Sequence, residues 1–257
     1  MKIKPFKTSD VQAMSLNILL YGHAGSGKTT QIGKMYDRYG KGLVLSGEGG
    51  LTSISDKDID YLPFYSFDHP VDKTIYPNGY SFMEIMEYIR SPDFKAAGYK
   101  WIAVDSITEL SRRAFMEAQA ENPDKNNNFK PYQIYTQKLD PLVGDLRDLP
   151  IHTIVTALAA EETDDNGQTH FYPMLHQKSK QKKYAGDFDL VCGMVTKTAE
   201  VDGKVALKRY LICDQVHGWH GKNRDPHRRI KAVEMVSDVT ELVERLRTVP
   251  ENKKVSK

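Results

Sequence analysis

Leu16-Asn17-Ile18-Leu19-Leu20-Tyr21-Gly22-His23-Ala24-Gly25-Ser26-Gly27-Lys28-Thr29-Thr30 decides how this chain is read. A compact apolar run, fit for a buried parallel strand, leads directly into a glycine turn. The turn opens a segment that reads as a helix from about Lys28 to Arg38, stopped by Gly40 and Gly42. Gly22-x4-Gly27-Lys28-Thr29 between a strand and a helix has the spacing and the context of a phosphate-binding loop. The glycines let the backbone turn its N–H groups toward phosphate oxygens, and the helix N-terminus adds partial positive charge. Gly22, Gly25, Ser26, Gly27, Lys28, Thr29 and Thr30 are therefore the expected nucleotide contacts. Lys28 is expected at the β- and γ-phosphates, and the Thr29 hydroxyl on Mg²⁺.

Working outward, short apolar runs alternate with helical patterns. Leu43 to Leu45, Ile59 to Tyr65, Trp101 to Val104 and Ile151 to Leu158 read as strands. Helices are expected from Tyr80 to Arg90, Ser106 to Ala120, Tyr132 to Leu149 and Val239 to Leu246. Phe188 to Thr196 and Ala206 to Cys213 read as strands joined at Val201-Asp202-Gly203-Lys204, since Asp-Gly suits a tight turn. Residues 160–186 read as one long polar loop, acidic first and basic later. The alternation predicts an α/β fold: a mainly parallel central sheet covered by helices on both faces, with antiparallel edge strands late in the chain. No repeat and no dividing linker is evident. The expected division is an arm over 1–15, a core over 16–236, and a C-terminal helix and tail over 237–257.

The composition narrows the class. Of 257 residues, 40% are apolar and 27% charged, which is ordinary for a soluble globular chain. A net charge of +2 is too small to imply a polyanion partner by itself. Cys192 and Cys213 have no metal-type spacing and are expected as reduced thiols. No run approaches membrane-spanning length. Lys2, Lys4 and Lys7 before the first apolar run do not make a signal peptide, because that run is short and leads into the glycine loop. A cytoplasmic protein without a membrane partner is expected.

Asp105 closes the strand Trp101 to Val104, where a second acidic motif would hold the metal; a helix cap is the alternative. Hydrolysis needs a carboxylate that orients water. Glu48, at the end of the second strand, is preferred to Glu109, which lies a helical turn beyond Asp105. Thr156 reads either as a sensor of the γ-phosphate or as core, and His152 as structural. The guanine-reading Asn-Lys-x-Asp is missing, since Lys222-Asn223-Arg224-Asp225 has the wrong order. ATP with Mg²⁺ is the expected ligand pair.

Ile102-Ala103-Val104-Asp105-Ser106-Ile107-Thr108-Glu109-Leu110 resembles the second motif of RecA-like recombinases, and Glu48 after strand two matches the same branch. More narrowly, the chain resembles short phage RecA-like single-strand annealing ATPases of the generic AAA P-loop class, over roughly residues 15–226. Pro173-x-Leu175 before basic residues and Phe188-Asp189-x-Val191 belong to that resemblance. It implies an ATPase on single-stranded DNA in phage-type recombination or annealing, working as a homo-oligomeric ring or filament in the host cytoplasm. A single-stranded DNA-binding protein is a further candidate partner. Lys222 and Arg224 stand where related helicases place a pair that reaches the neighbouring subunit's nucleotide.

Lys178, Lys180, Lys182 and Lys183, with Phe171, Tyr172 and Tyr184 nearby, are the expected DNA contacts through phosphate charge and base stacking. A solvated lysine run is the alternative. A second basic cluster, His227-Arg228-Arg229-Lys231, could serve DNA, a subunit contact or solubility. Two rival functions remain open: an ATP-gated DNA-binding or assembly module with negligible turnover, and a phosphotransferase on a small molecule or nucleotide.

Overall fold

The computed structural model describes residues 5, 15–124, 126–201, 204–235 and 238–248. Most of the expected N-terminal arm, the Asp202-Gly203 turn and the tail over 251–257 lie outside the described residues. The first half contains β1 (Asn17–Gly22), α1 (Lys28–Tyr39), β2 (Gly42–Ser46), β3 (Asp60–Ser66), β4 (Tyr80–Ser81), α2 (Phe82–Arg90) and α3 (Pro92–Ala97). Next come β5 (Trp101–Asp105), α4 (Ile107–Ala120), α5 (Lys130–Arg147), β6 (His152–Thr163), β7 (Thr169–Pro173) and α6 (Lys178–Ala185). The chain continues through β8 (Leu190–Val201), β9 (Lys204–Ile212), β10 (Gln215–Val216), β11 (Trp219–His220), β12 (Lys222–Asn223), β13 (Val233–Glu234) and α7 (Thr240–Arg247).

The sheet runs β13-β9-β8-β1-β6-β5-β2-β3-β4. From β8 to β4 every neighbouring pair is parallel. β9 and β13 add antiparallel strands at the β8 edge, and β7 folds back along β6. This is the RecA-like P-loop arrangement that the alternating pattern predicts, with β6 interposed between β1 and the strand that ends in Asp105.

Period-two alternation divides each central strand between two apolar layers. Leu19, Tyr21, Ile102 and Val104 face a core closed by α2, α4 and α5. Ile18, Leu20, Trp101 and Ala103 face the other core, closed by α1 and α7. Local chemistry sets the helix ends. Ser81 accepts from Glu84 N while Glu84 accepts from Ser81 N, a reciprocal cap that starts α2. Ser91 ends α2, and its hydroxyl caps α3 by accepting from Phe94 N.

The structure corrects the reading of residues 160–186. They are not a loop. β6 runs on to Thr163, turns at Asp164–Gly167 and returns as β7, and α6 follows. A two-stranded ribbon that leaves the sheet has little apolar surface to bury, so its alternation of Ala, Glu and Thr carries no hydrophobic signal. In the same way β8 continues past Thr196 to Val201. Tyr80–Ser81 is a short strand rather than the first turn of α2, and α3 is an element that the sequence pattern does not announce. Cys192 and Cys213 are free, buried, and lie side by side with sulfurs 3.4 Å apart. Among the described residues no helix is long and apolar enough to cross a membrane.

Gly42 and Trp101 are paired in the β2–β5 register, and the indole lies across the glycine. A β-carbon at Gly42 would stand 1.9 Å from the fully buried Trp101 ring. Gly42→Ala should therefore cost about 1–3 kcal/mol by overpacking. In a thermal melt that is a fall of roughly 2–10 °C for a chain of this size. An unchanged melting temperature would mean that the two layers are looser than this contact implies.

Candidate active site

The phosphate loop leaves β1 at Gly22 and enters α1 at Lys28. Gly25 (φ 75°) and Gly27 (φ 97°) hold left-handed backbone that a side chain would strain. Lys28 Nζ curls back onto the carbonyl oxygens of Gly22 and His23, 3.0 Å from each. Burial lowers its pKa, an effect that the nearby Glu48 and Asp105 carboxylates only partly offset. Thr30 is exposed on the first turn of α1. Ser26 Oγ is buried and has no hydrogen-bond partner among the described residues.

Three elements converge on Asp105. Thr29, on α1, donates its hydroxyl to Asp105 Oδ2 at 3.0 Å. Thr156, on the interposed β6, donates to Asp105 Oδ1. Thr156 is fully buried and directed at this carboxylate, so it orients Asp105 rather than facing the open side of the loop as a phosphate sensor would. A threonine hydroxyl beside a carboxylate is a hard oxygen donor pair suited to a small divalent cation. Together with the orphaned Ser26 hydroxyl, it makes these residues a fit for a nucleotide with its metal.

Ser106, next after Asp105, donates to the Glu48 carboxylate and accepts from Glu109 N as the cap of α4. Glu48 thus stands exposed but held, at the rim of a cleft of about 830 Å³ lined in part by Ser46, Tyr65 and Tyr76. Glu109 is engaged elsewhere. Its carboxylate lies between Arg112 (2.6 Å) and Arg113 (2.8 Å). Burial alone would raise its pKa, but the two guanidinium groups outweigh that and hold it below the usual carboxylate range. Arg113 also reaches the carbonyl oxygens of Gly47 and Tyr65, so this ion pair braces the turn that carries Glu48.

Other expected site residues lie apart. β12 pairs with β8 at Val191 and Leu190, whose partners on β1 are Leu19 and Ile18. Lys222 and Arg224 are therefore at the opposite sheet edge from the loop. They do point the same way: Lys222 donates to the carbonyl oxygens of Gly186 and Phe188, and Arg224 pairs with Asp189 at 2.7 Å. His152 accepts from Leu16 N and stacks on Tyr39, also away from the loop.

The lysine cluster is a helix face, not a mobile loop. Lys180 is buried against Asp140 at 2.9 Å, and Lys183 joins the same carboxylate at 2.6 Å. Burial would raise the Asp140 pKa, yet donation from Lys183, Tyr184 and Lys180 brings it down to about 2. Lys180 is thus half of a buried ion pair. Lys182 lies over the Tyr172 ring at 4.7 Å, and Lys178 is exposed near Glu162 at 3.4 Å. Phe171 is stacked on Trp219 at 4.5 Å, and Tyr172 and Tyr184 are buried, so none presents a free ring face to a base. In the second basic cluster Arg229 is tied to Asp225 at 3.0 Å.

The contacts of three residues around the site escape a reading of the sequence. Ser106 stands inside the Asp105 motif without a signal of its own. His23 faces Glu161 at 3.6 Å and sits edge-on to Phe171 and Trp219. Arg209, on β9, donates Nε to Ser26 O at 3.3 Å. No spacing rule exposes these last two, because they depend on how the two hairpins register against the sheet.

Residues 14–225 match the family model described as the AAA domain. No curated protein matches. Among solved structures, a KaiC-like protein of the archaeon Pyrococcus horikoshii is similar at 15% identity and a TM-score of 0.43, covering 85% of this chain and 84% of that one. The flagellar accessory protein FlaH of Methanocaldococcus jannaschii gives 11%, 0.40, and 86% and 84% coverage. An ATPase of the type III secretion system of pathogenic bacteria gives 18%, 0.41, and 71% and 52%. The fold rests on strand order and loop geometry rather than on these scores.

Lys28→Ala should remove the half-buried cation at the loop and leave α1 intact, since alanine favours helix. The variant should melt like the parent without ligand but lose the rise in melting temperature that ATP with Mg²⁺ gives the parent. A full ligand-induced rise in the variant would show that the loop is not the nucleotide site.

Proposed function

The chain belongs to the AAA-domain family of P-loop ATPases, and from that premise we propose that it hydrolyses Mg-ATP on single-stranded DNA, in phage-type recombination or strand annealing. The observation that carries the catalytic part is the Ser106–Glu48 hydrogen bond, which fixes an exposed carboxylate close to Lys28 and Asp105. In this reading Gly22, Gly25, Ser26, Gly27 and Thr30 line the phosphates, and Lys28 neutralises the β- and γ-oxygens. Thr29 and Asp105 would hold Mg²⁺, which supplies charge neutralisation on the phosphates when bound. Glu48 accepts a proton from the attacking water, and Ser106 keeps that carboxylate oriented. Glu109, already neutralised by two arginines, braces the turn.

Lys222 and Arg224 act in trans in this proposal. About 10 Å of β-strand separates Lys222, and about 15 Å Arg224, from the chain's own loop, so in this reading they meet a nucleotide in a neighbouring copy. In this reading ATP lies between subunits of a homo-oligomer. For DNA, Lys178 and Lys182 are the exposed members of α6 that do not hold Asp140, and in this reading their contacts with Glu162 and Tyr172 give way to phosphate.

The test is ATP turnover with and without single-stranded DNA. Glu48→Gln should keep ATP affinity while turnover falls by roughly 100-fold or more, the scale of a lost general base. Glu109→Gln should lower stability more than turnover. The reverse pattern would reassign the base.

The same assembly gives a second check. Lys178→Ala with Lys182→Ala should weaken DNA binding and lower its log–log salt slope by about 0.7 for each phosphate no longer neutralised. Lys180→Ala should chiefly destabilise the fold, by leaving Asp140 short of a donor. An unchanged slope in the double variant would return α6 to a solvated helix face and remove DNA from this surface.

A further inference from the structure

Arg209 stands where no motif would place a nucleotide contact. β8 runs past the end of β1: Met194 is level with Gly22, and Thr196, two residues on, is paired with Arg209 of β9. The hairpin therefore rises beside the loop on the α1 side of the sheet, the side to which neighbouring Leu211 and Met194 also belong. Arg209 Nε donates to Ser26 O, and a β-carbon at Gly27 would come within 2.9 Å of that same nitrogen. The guanidinium thus lies directly against the Ser26–Gly27 backbone.

One further observation bears on this contact. Among the described residues no carboxylate is within ion-pair distance of Arg209, unlike Arg112, Arg113, Arg224 and Arg229, whose charge is already met by a carboxylate. A cation without an anion is held against a loop built to receive anions.

We infer that Arg209 is a phosphate ligand acting in cis: with ATP in the loop, its guanidinium leaves the Ser26 carbonyl and bonds the polyphosphate from the side opposite Lys28. This rests on the reading that the loop binds ATP, and it is separate from the role of Arg224 across a subunit contact. Arginine suits the task, because its planar, permanently charged fork of N–H groups can hold two phosphate oxygens at once. The loop then has an internal cation on α1 and an external one on the late hairpin, so nucleotide binding ties the antiparallel edge to the parallel core.

The test titrates the full chain with ATP and Mg²⁺ by calorimetry, for the parent, Arg209→Ala, Arg209→Lys and Arg209→Gln. Melting without nucleotide is followed for each. Loss of a charge-assisted bond should weaken ATP binding about 10- to 100-fold in Arg209→Ala and in Arg209→Gln. Arg209→Lys should recover part of the loss. The gap between the parent and Arg209→Ala should narrow as salt rises from about 0.05 to about 0.5 M. Melting without nucleotide should barely move. Parent-like affinity in Arg209→Gln would reduce the residue to a neutral clamp on Ser26 O and overturn the proposal. A loss that salt does not change would also overturn it, pointing to stacking on the base. A parent that binds no ATP would instead sink the nucleotide reading itself.

Discussion

The Asp105 carboxylate is the joint on which the site depends. One oxygen takes the Thr29 hydroxyl from α1, the other takes Thr156 from β6, and its own strand is β5. Because β6 separates β1 from β5, the loop and the acidic strand end are not neighbours in the sheet, and these bonds bridge the gap. Asp105 is almost fully buried, so its oxygens must find hydrogen-bond donors within the fold. The next residue continues the chain of contacts, since Ser106 joins Glu48 to the start of α4. Two consecutive side chains thus align the second, fifth and sixth strands with the phosphate loop.

Much of this is legible in the sequence because its signals are local. The Gly22-to-Thr29 spacing fixes strand, loop and helix together, and Gly25 and Gly27 occupy positive-φ positions where side chains are strained. Buried strands such as Trp101 to Val104 announce themselves as apolar runs. Where Glu48 sits, just past the end of the second strand, follows from the sequence alone. Less evident is that Arg112 and Arg113, at i+3 and i+4, already engage Glu109, although that spacing is a known helix pairing.

The rest is illegible for a different reason. The β6–β7 ribbon and the end of β8 extend beyond the covered sheet, where alternation is between polar and half-exposed residues. α6 reads as a lysine run because its partner, Asp140, comes from α5, 40 positions before Lys180. Charge counted along a sequence says nothing of the carboxylate that faces it in space. The same holds for Phe171, which looks available for stacking until β11 brings Trp219 onto it.

These long-range pairings leave the molecule with two chemically distinct edges. At the C-terminal ends of the parallel strands lie the loop, Asp105, Ser106 and Glu48. The β6–β7 ribbon leans on that edge through His23 and Glu161, and β9 does so through Arg209. At the opposite edge Lys222 and Arg224 gather around Gly186 and Asp189, and Asp189 in turn accepts from Asn17 N at the start of β1. A parallel sheet forces this separation, since every strand enters at one edge and leaves at the other. A cation that the fold fixes at the entry edge cannot reach phosphate held at its own exit edge. Among the described residues, Lys28 on α1 and Arg209 on the hairpin that overruns the sheet lie against the loop. For that reason the extra length of β8 and β9, which contributes little to the buried core, matters to the site.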